Sequence, residues 1–119
     1  MVSSKILSLA VFSFVGPALA QGYATIYSQE PCTGESAQIP ANKLCTPVPL
    51  SLYHKVTAVS VPENVVCEFY KDLLCLDPLL NSVEDPGICK FSEWDTNDGQ
   101  ISNQALSILC YALTDEDSN

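Results

Sequence analysis

The sequence predicts an all-β protein, a small domain cross-linked by disulfides, and three observations carry that expectation. Short runs with apolar residues at alternate positions recur between proline- and glycine-rich breaks. The second half of the chain repeats the first at an offset of about 43 residues. Six cysteines follow an apolar leader, and an even count in that setting reads as a disulfide framework.

The leader comes first in the chain. Lys5 supplies a positive start, Ile6 to Val15 is apolar, Gly16-Pro17 breaks the run, and Ala18-Leu19-Ala20 offers small residues for cleavage. This is the anatomy of a secretory signal peptide over residues 1–20, with the predicted cut after Ala20. An uncleaved anchor is the competing reading, but the run is shorter than the roughly 20 residues a membrane-spanning helix needs. The expectation is therefore a secreted, extracellular chain, with one domain over residues 21–114 and an acidic tail at 115–119.

In the first half, Ala24-Thr25-Ile26-Tyr27 is followed by four residues, then Cys32-Thr33-Gly34, then Cys45. In the second, Cys67-Glu68-Phe69-Tyr70 is followed by four residues, then Cys75-Leu76-Asp77, then Cys89. Lys55 to Val61 closes the first half and Ala105 to Cys110 the second. Apolar residues alternate in each (Ala24/Ile26, Val59/Val61, Cys67/Phe69, Ile108/Cys110), as a strand with one buried face requires. Pro31, Gly34, Pro40, Pro47, Pro49, Pro62, Pro78, Pro86-Gly87 and Asp98-Gly99 punctuate the chain. Regularly spaced short strands of this kind predict a sandwich or a barrel.

Charge narrows the partners. The chain has no arginine, and beyond Ala20 only Lys43, Lys55, Lys71 and Lys90 oppose 14 acidic residues. Nucleic-acid binding needs basic patches that this sequence lacks, and anionic membranes are disfavoured for the same reason. Zinc is a competing use of cysteine, but no two cysteines are closer than eight positions, so close ligand pairs are missing. No metal, no cofactor, no nucleic acid and no membrane insertion are expected.

The segment Tyr27-x4-Cys32-x-Gly34 resembles the Greek-key signature of the βγ-crystallins, in which an aromatic, four residues, a second aromatic and one further residue precede a glycine. Tyr53-His54-Lys55-Val56-Thr57-Ala58-Val59-Ser60-Val61 is similar to that family's closing strand. The resemblance spans two motifs, residues 22–62 and 65–112. It implies a small disulfide-stapled β-sandwich of two Greek-key motifs. It also implies that Tyr27 packs over Gly34 at positive φ, a conformation glycine adopts freely. In the second motif Tyr70 and Asp77 take those structural-turn positions. Asp tolerates the left-handed region better than most residues, whereas Pro78 favours extended geometry before it.

The repeat within this resemblance implies a bridge pattern. Cys32 and Cys45 match Cys75 and Cys89, which pairs 32 with 45 and 75 with 89 inside each motif. Cys67 then joins Cys110, on first and fourth strands that are neighbours in a crystallin-like motif, where the first motif has Ala24 and Val61. Other connectivities of six cysteines stay open. Each bridge is expected to contribute about 3 kcal/mol.

The family's calcium site asks for oxygen ligands at matched positions. Motif one offers Tyr53 and His54, then Thr57 and Ala58. Motif two offers Ser102 and Asn103, then Leu106 and Ser107, so Ser102, Asn103 and Ser107 are weak calcium candidates. Asp95-Thr96-Asn97-Asp98-Gly99 resembles the start of an EF-hand loop but lacks its sixth-position glycine and distal glutamate, and a polar turn is the expectation. Catalysis has thin support. His54 is the only histidine, and no serine sits in a G-x-S-x-G elbow. Glu63/Glu68 and Glu84/Asp85 are the available carboxylate pairs. Phe91 and Trp94 flank Ser92-Glu93 and are candidate partner-binding residues, with Trp94 as a core plug the competing role.

The chain also resembles small secreted cysteine-rich fungal proteins, including killer-toxin-like antimicrobials and effector-like proteins. The expectation is a non-enzymatic secreted binding protein acting on an extracellular protein or glycan. A structural or calcium-stabilised secreted protein is the alternative, with a small hydrolase behind it.

Overall fold

The computed structural model describes residues 22–95 and 99–113. The predicted signal peptide, the acidic tail and Thr96-Asn97-Asp98 lie outside these residues. Eight strands follow in order: β1 (Tyr23–Gln29), β2 (Thr33–Pro40), β3 (Asn42–Pro47), β4 (Ala58–Ser60), β5 (Val65–Tyr70), β6 (Pro78–Glu84), β7 (Gly87–Ile88) and β8 (Ser107–Ala112). Short 3-10 turns occupy Leu50–Leu52 and Phe91–Trp94.

The strands form where alternation predicts an inward face. β1 buries Ala24 and Ile26, and β5 buries Val65, Val66, Cys67 and Phe69. The closing strand of the first half is shorter than the sequence implies. Only Ala58–Ser60 of Lys55–Val61 joins the ladder, because the chain before it is turned through His54 at φ +59. Val56, inside the turned stretch, is nonetheless fully buried.

Two antiparallel four-stranded sheets result, ordered β2-β1-β4-β7 and β3-β8-β5-β6. Each half of the chain keeps its first, second and fourth strands together and gives its third strand to the other sheet. Thus β3 pairs with β8, Cys45 opposite Leu109, and β7 pairs with β4, Val59 opposite Ile88. Between the sheets lies one core that includes Ile26, Ile39, Leu52, Phe69, Phe91 and Ile108. Leu52 and Phe91, one on each 3-10 turn, are both buried in it. Gly87 lets β7 approach β4: it has φ +102, and a Cβ there would lie 2.3 Å from the Val59 carbonyl oxygen.

The exchange of third strands corrects two expected bridges. The structure joins Cys32 to Cys89 and Cys45 to Cys75, where pairing inside each motif implied 32–45 and 75–89. The reason is topological. Cys45 travels on β3 into the second sheet, beside the β5–β6 turn that carries Cys75. Cys89 follows β7 in the first sheet, beside the β1–β2 turn that carries Cys32. Both bridges therefore stay within a sheet and cross between motifs. The third bridge is Cys67–Cys110, with Cα atoms 4.1 Å apart on directly opposed residues of β5 and β8. It lies in the core, both cysteines being fully buried.

The turn residues differ between the halves. Gly34 has φ +83, as the resemblance implies. In the second hairpin Cys75 is left-handed at φ 59 and Asp77 is not, which corrects the role assigned to Asp77. Pro78 follows Asp77 and opens β6, and proline disfavours folded geometry in the residue before it.

Candidate functional site

Two surfaces present apolar side chains on well-anchored backbone. The first is the segment 89–95. Cys89 is tied to Cys32. Phe91 is fully buried, edge-to-face with Phe69 at 5.7 Å, and its N–H donates to the Thr57 carbonyl at 2.9 Å. The Glu30 carboxylate accepts from Ser92 N at 2.9 Å and Ser92 Oγ at 2.8 Å. Asp95 accepts from Ile101 N at 2.6 Å, Ser102 N at 3.1 Å and Ser102 Oγ at 3.2 Å. The N–H groups of Ile101 and Ser102 hold the Asp95 carboxyl below the usual carboxylate range, more than offsetting its partial burial.

Trp94 sits inside this anchored segment with 52% of its surface exposed. The two aromatics of the segment thus divide their roles. Phe91 is the core plug, which corrects its candidacy for partner binding, and Trp94 faces out. Beside Trp94 runs a groove of about 210 Å³ along β6, the β6–β7 turn and β7, with Asn81, Ser82, Glu84, Asp85 and Ile88 in its lining. One of the carboxylate pairs noted in the sequence, Glu84/Asp85, therefore lies in this groove. The other does not form: Glu63 is exposed in the connection between the halves, and Glu68 accepts a hydrogen bond from the Tyr70 hydroxyl at 3.1 Å. Burial and the adjacent Glu68 carboxylate raise the Tyr70 hydroxyl's pKa.

The second surface is the β5–β6 turn. Leu73, Leu74 and Leu76 are 45%, 71% and 75% exposed, and Leu44, next to Cys45 across the bridge to Cys75, is 63% exposed. Backbone anchoring is again extensive. The Asp72 carboxylate accepts from Leu74 N at 3.2 Å, Leu76 N at 2.9 Å and Asp77 N at 2.9 Å. Burial pushes its pKa up, but the N–H groups of Asp77, Leu76 and Leu74 together outweigh that and hold it below the usual range. Ser107 Oγ donates to the Asp72 carbonyl at 2.5 Å and accepts from Cys75 N at 3.1 Å. The sequence reading missed this surface. Its signal was Leu73-Leu74-Cys75-Leu76, an apolar run at a turn where the first half has Glu30-Pro31-Cys32-Thr33.

The calcium candidates are dispersed among these anchors. Ser102 is bound to Asp95 and Ser107 to the Asp72 loop, while Asn103 is exposed at φ +65. His54 is exposed and stacks edge-on against Tyr53 at 4.6 Å. The buried Thr57 hydroxyl oxygen has no hydrogen-bond partner. No group of three or more His, Cys, Asp or Glu suited to a metal ion occurs among the described residues. No helix among them is long and apolar enough to cross a membrane.

No protein-family model matches the chain, and no curated protein matches it. Solved structures do. The N-terminal domain of protein S superposes with a TM-score of 0.57 at 14% identity, over 76% of this chain and 97% of that one. A structure reported under "Evolution of the eye lens beta-gamma-crystallin domain fold" superposes with a TM-score of 0.63 at 15% identity, over 79% of this chain and 89% of that one. The chain has the βγ-crystallin domain fold. Three disulfides in a domain of this size point to an extracellular, oxidising environment.

Proposed function

We propose that this chain is a secreted, non-enzymatic protein that acts by binding an extracellular partner, as a small effector or an antimicrobial, toxin-like protein does. The observation that carries this reading is the leucine surface. Leu44, Leu73, Leu74 and Leu76 stand out from the sheet around the Cys45–Cys75 bridge. Burying one such side chain is worth about 1.5–3 kcal/mol. Scattered exposed leucines are ordinary, whereas four on neighbouring, hydrogen-bonded backbone form a patch of the kind that marks an interaction site. Asp72 fixes the loop before any partner arrives, which lowers the ordering cost of association. Two unrelated features support secretion, the signal-peptide pattern of residues 1–20 and the disulfides.

The calcium-stabilised structural alternative has weaker support, because the hydroxyls of Ser102 and Ser107 are already committed to the protein's own groups. A hydrolase has weaker support still, since His54 stands on an exposed turn with its ring packed edge-on against Tyr53.

The test is capture of extracellular proteins by the immobilised, oxidised protein, compared with the double variant Leu74→Asp/Leu76→Asp. Both sites are exposed, so the variant is expected to melt within a few degrees of the parent. Partners retained by the parent and lost by the variant support the reading. Identical capture by both, or none by either, removes the leucine surface as its basis.

A further inference from the structure

We propose that the groove beside Trp94 is a binding site for one pyranose ring of an uncharged glycan, separate from the leucine surface. The groove lies where the free edges of the two sheets meet: β6 is the last strand of one and β7 the last of the other. Its lining combines an exposed indole and the apolar Leu80, Pro86 and Ile88 with Asn81, Ser82, Glu84 and Asp85. A pyranose ring has the complementary character. Its C–H face packs on an aromatic plane, while its hydroxyl edge needs both hydrogen-bond donors and acceptors.

The polar lining supplies both. Asn81 donates and accepts, Ser82 donates and accepts, and the two carboxylates accept. All four are exposed, and their side chains have no partner among the described residues. The donors distinguish the ligand class. A lysine or arginine side chain could use Trp94 and the carboxylates but would leave the amide donor of Asn81 without a purpose. Anionic sugars are disfavoured, because Glu84 and Asp85 share the groove and the whole chain carries a net charge of −9.

Preorganisation strengthens the case. Trp94 is an exposed position of a segment held on both sides: Phe91 by the core, Ser92 by Glu30, Asp95 by the Ile101-Ser102 backbone. Little backbone freedom remains to be lost when a ring stacks there.

Trp94 is the only tryptophan in the chain, so emission excited selectively at the indole, beyond tyrosine absorption, reads this site. The oxidised protein is titrated with uncharged oligosaccharides (β-1,3-glucan, β-1,4-glucan, mannan and N-acetylchitin fragments), with polygalacturonate and with an oligoarginine peptide. The expected result is a saturable emission shift with at least one uncharged oligosaccharide that persists in high salt. By calorimetry, Trp94→Ala should weaken that binding roughly tenfold or more, and Asn81→Ala should weaken it measurably, with both variants melting like the parent. Leu74→Asp/Leu76→Asp should leave it unchanged, which separates failure of this site from failure of the leucine surface. Saturation by oligoarginine alone, or no response to any uncharged oligosaccharide at millimolar concentration, overturns the proposal.

Discussion

In the hairpin joining β1 to β2, Gly34 sits at φ +83, and a Cβ there would fall 2.7 Å from Ser28 Oγ and 2.9 Å from Gln29 Cγ. That space is needed because Ser28 Oγ accepts the Glu35 N–H at 3.0 Å. In the hairpin joining β5 to β6 the matching residue is Asp77, outside the left-handed region, and the turn is gathered by the Asp72 carboxylate through three backbone N–H groups. One position is common to both: Cys32 at φ 51 and Cys75 at φ 59. The repeat therefore preserves a left-handed, bridged cysteine in each hairpin and varies what organises the rest. Between these two hairpins, glycine is required only where neighbouring side chains occupy the space a Cβ would fill.

Breaking the shared element should have the largest effect. Replacing either bridged pair, Cys32/Cys89 or Cys45/Cys75, with serines is expected to cost about 3–4 kcal/mol in chemical denaturation. The loss should be greater for Cys32/Cys89, whose sequence separation is 57 against 30. Equal losses would mean that loop entropy is not what these bridges supply.

The differing elements come next. Gly34→Ala should cost about 1–3 kcal/mol, since it places a side chain in a left-handed, crowded site. Asp77→Ala, at the equivalent position, should stay within about 0.5 kcal/mol of the parent. Similar losses at both sites would show that the hairpins are built alike after all.

Asp72 sharpens the contrast through pH. Its folded carboxyl is held low, so the unfolded chain binds more protons as acid is added. The clamp's contribution is complete above the unfolded carboxyl value of about 4 and fades as pH falls through the folded value. Thermal melts from about pH 6 to pH 2 should show this acid limb, and Asp72→Asn should flatten it. Asp95 is lowered for a similar reason and keeps part of the slope. An unaltered profile would remove Asp72 as the organiser of the turn. Asp77→Gly closes the contrast by placing at this position the glycine that the βγ-crystallin motif carries. It should destabilise by roughly 0.5–1 kcal/mol, more than Asp77→Ala, because a site outside the left-handed region gains nothing from glycine's freedom and the unfolded chain gains entropy.

Much of this fold was legible before any coordinates. Alternation at Ala24/Ile26 and Cys67/Phe69 marks strands whose inward faces are local properties of the chain. The opposition of Cys67 and Cys110 follows once first and fourth strands are neighbours. The exchange of β3 and β7 was not legible, because a strand's alternation records which face is buried and not which sheet receives it. The bridges 32–89 and 45–75 depend on that exchange. At the groove, Phe91 and Trp94 are three residues apart on one turn, and composition alone does not decide which is inside. The decision rests on Phe69 across the core and on Glu30 holding Ser92 from 62 residues away.

The exchanged strands have a consequence wherever the molecule meets a protease in an oxidising environment. The connection between the halves, Pro62-Glu63-Asn64, is exposed, and it is the only covalent link along the backbone between them. A protease that cuts there does not release two fragments, because Cys32–Cys89 and Cys45–Cys75 still join one half to the other. The product is a two-chain molecule with every strand in its original ladder, and the halves stay at intramolecular effective concentration. Cleavage at this exposed linker would be a silent event until a reductant arrives.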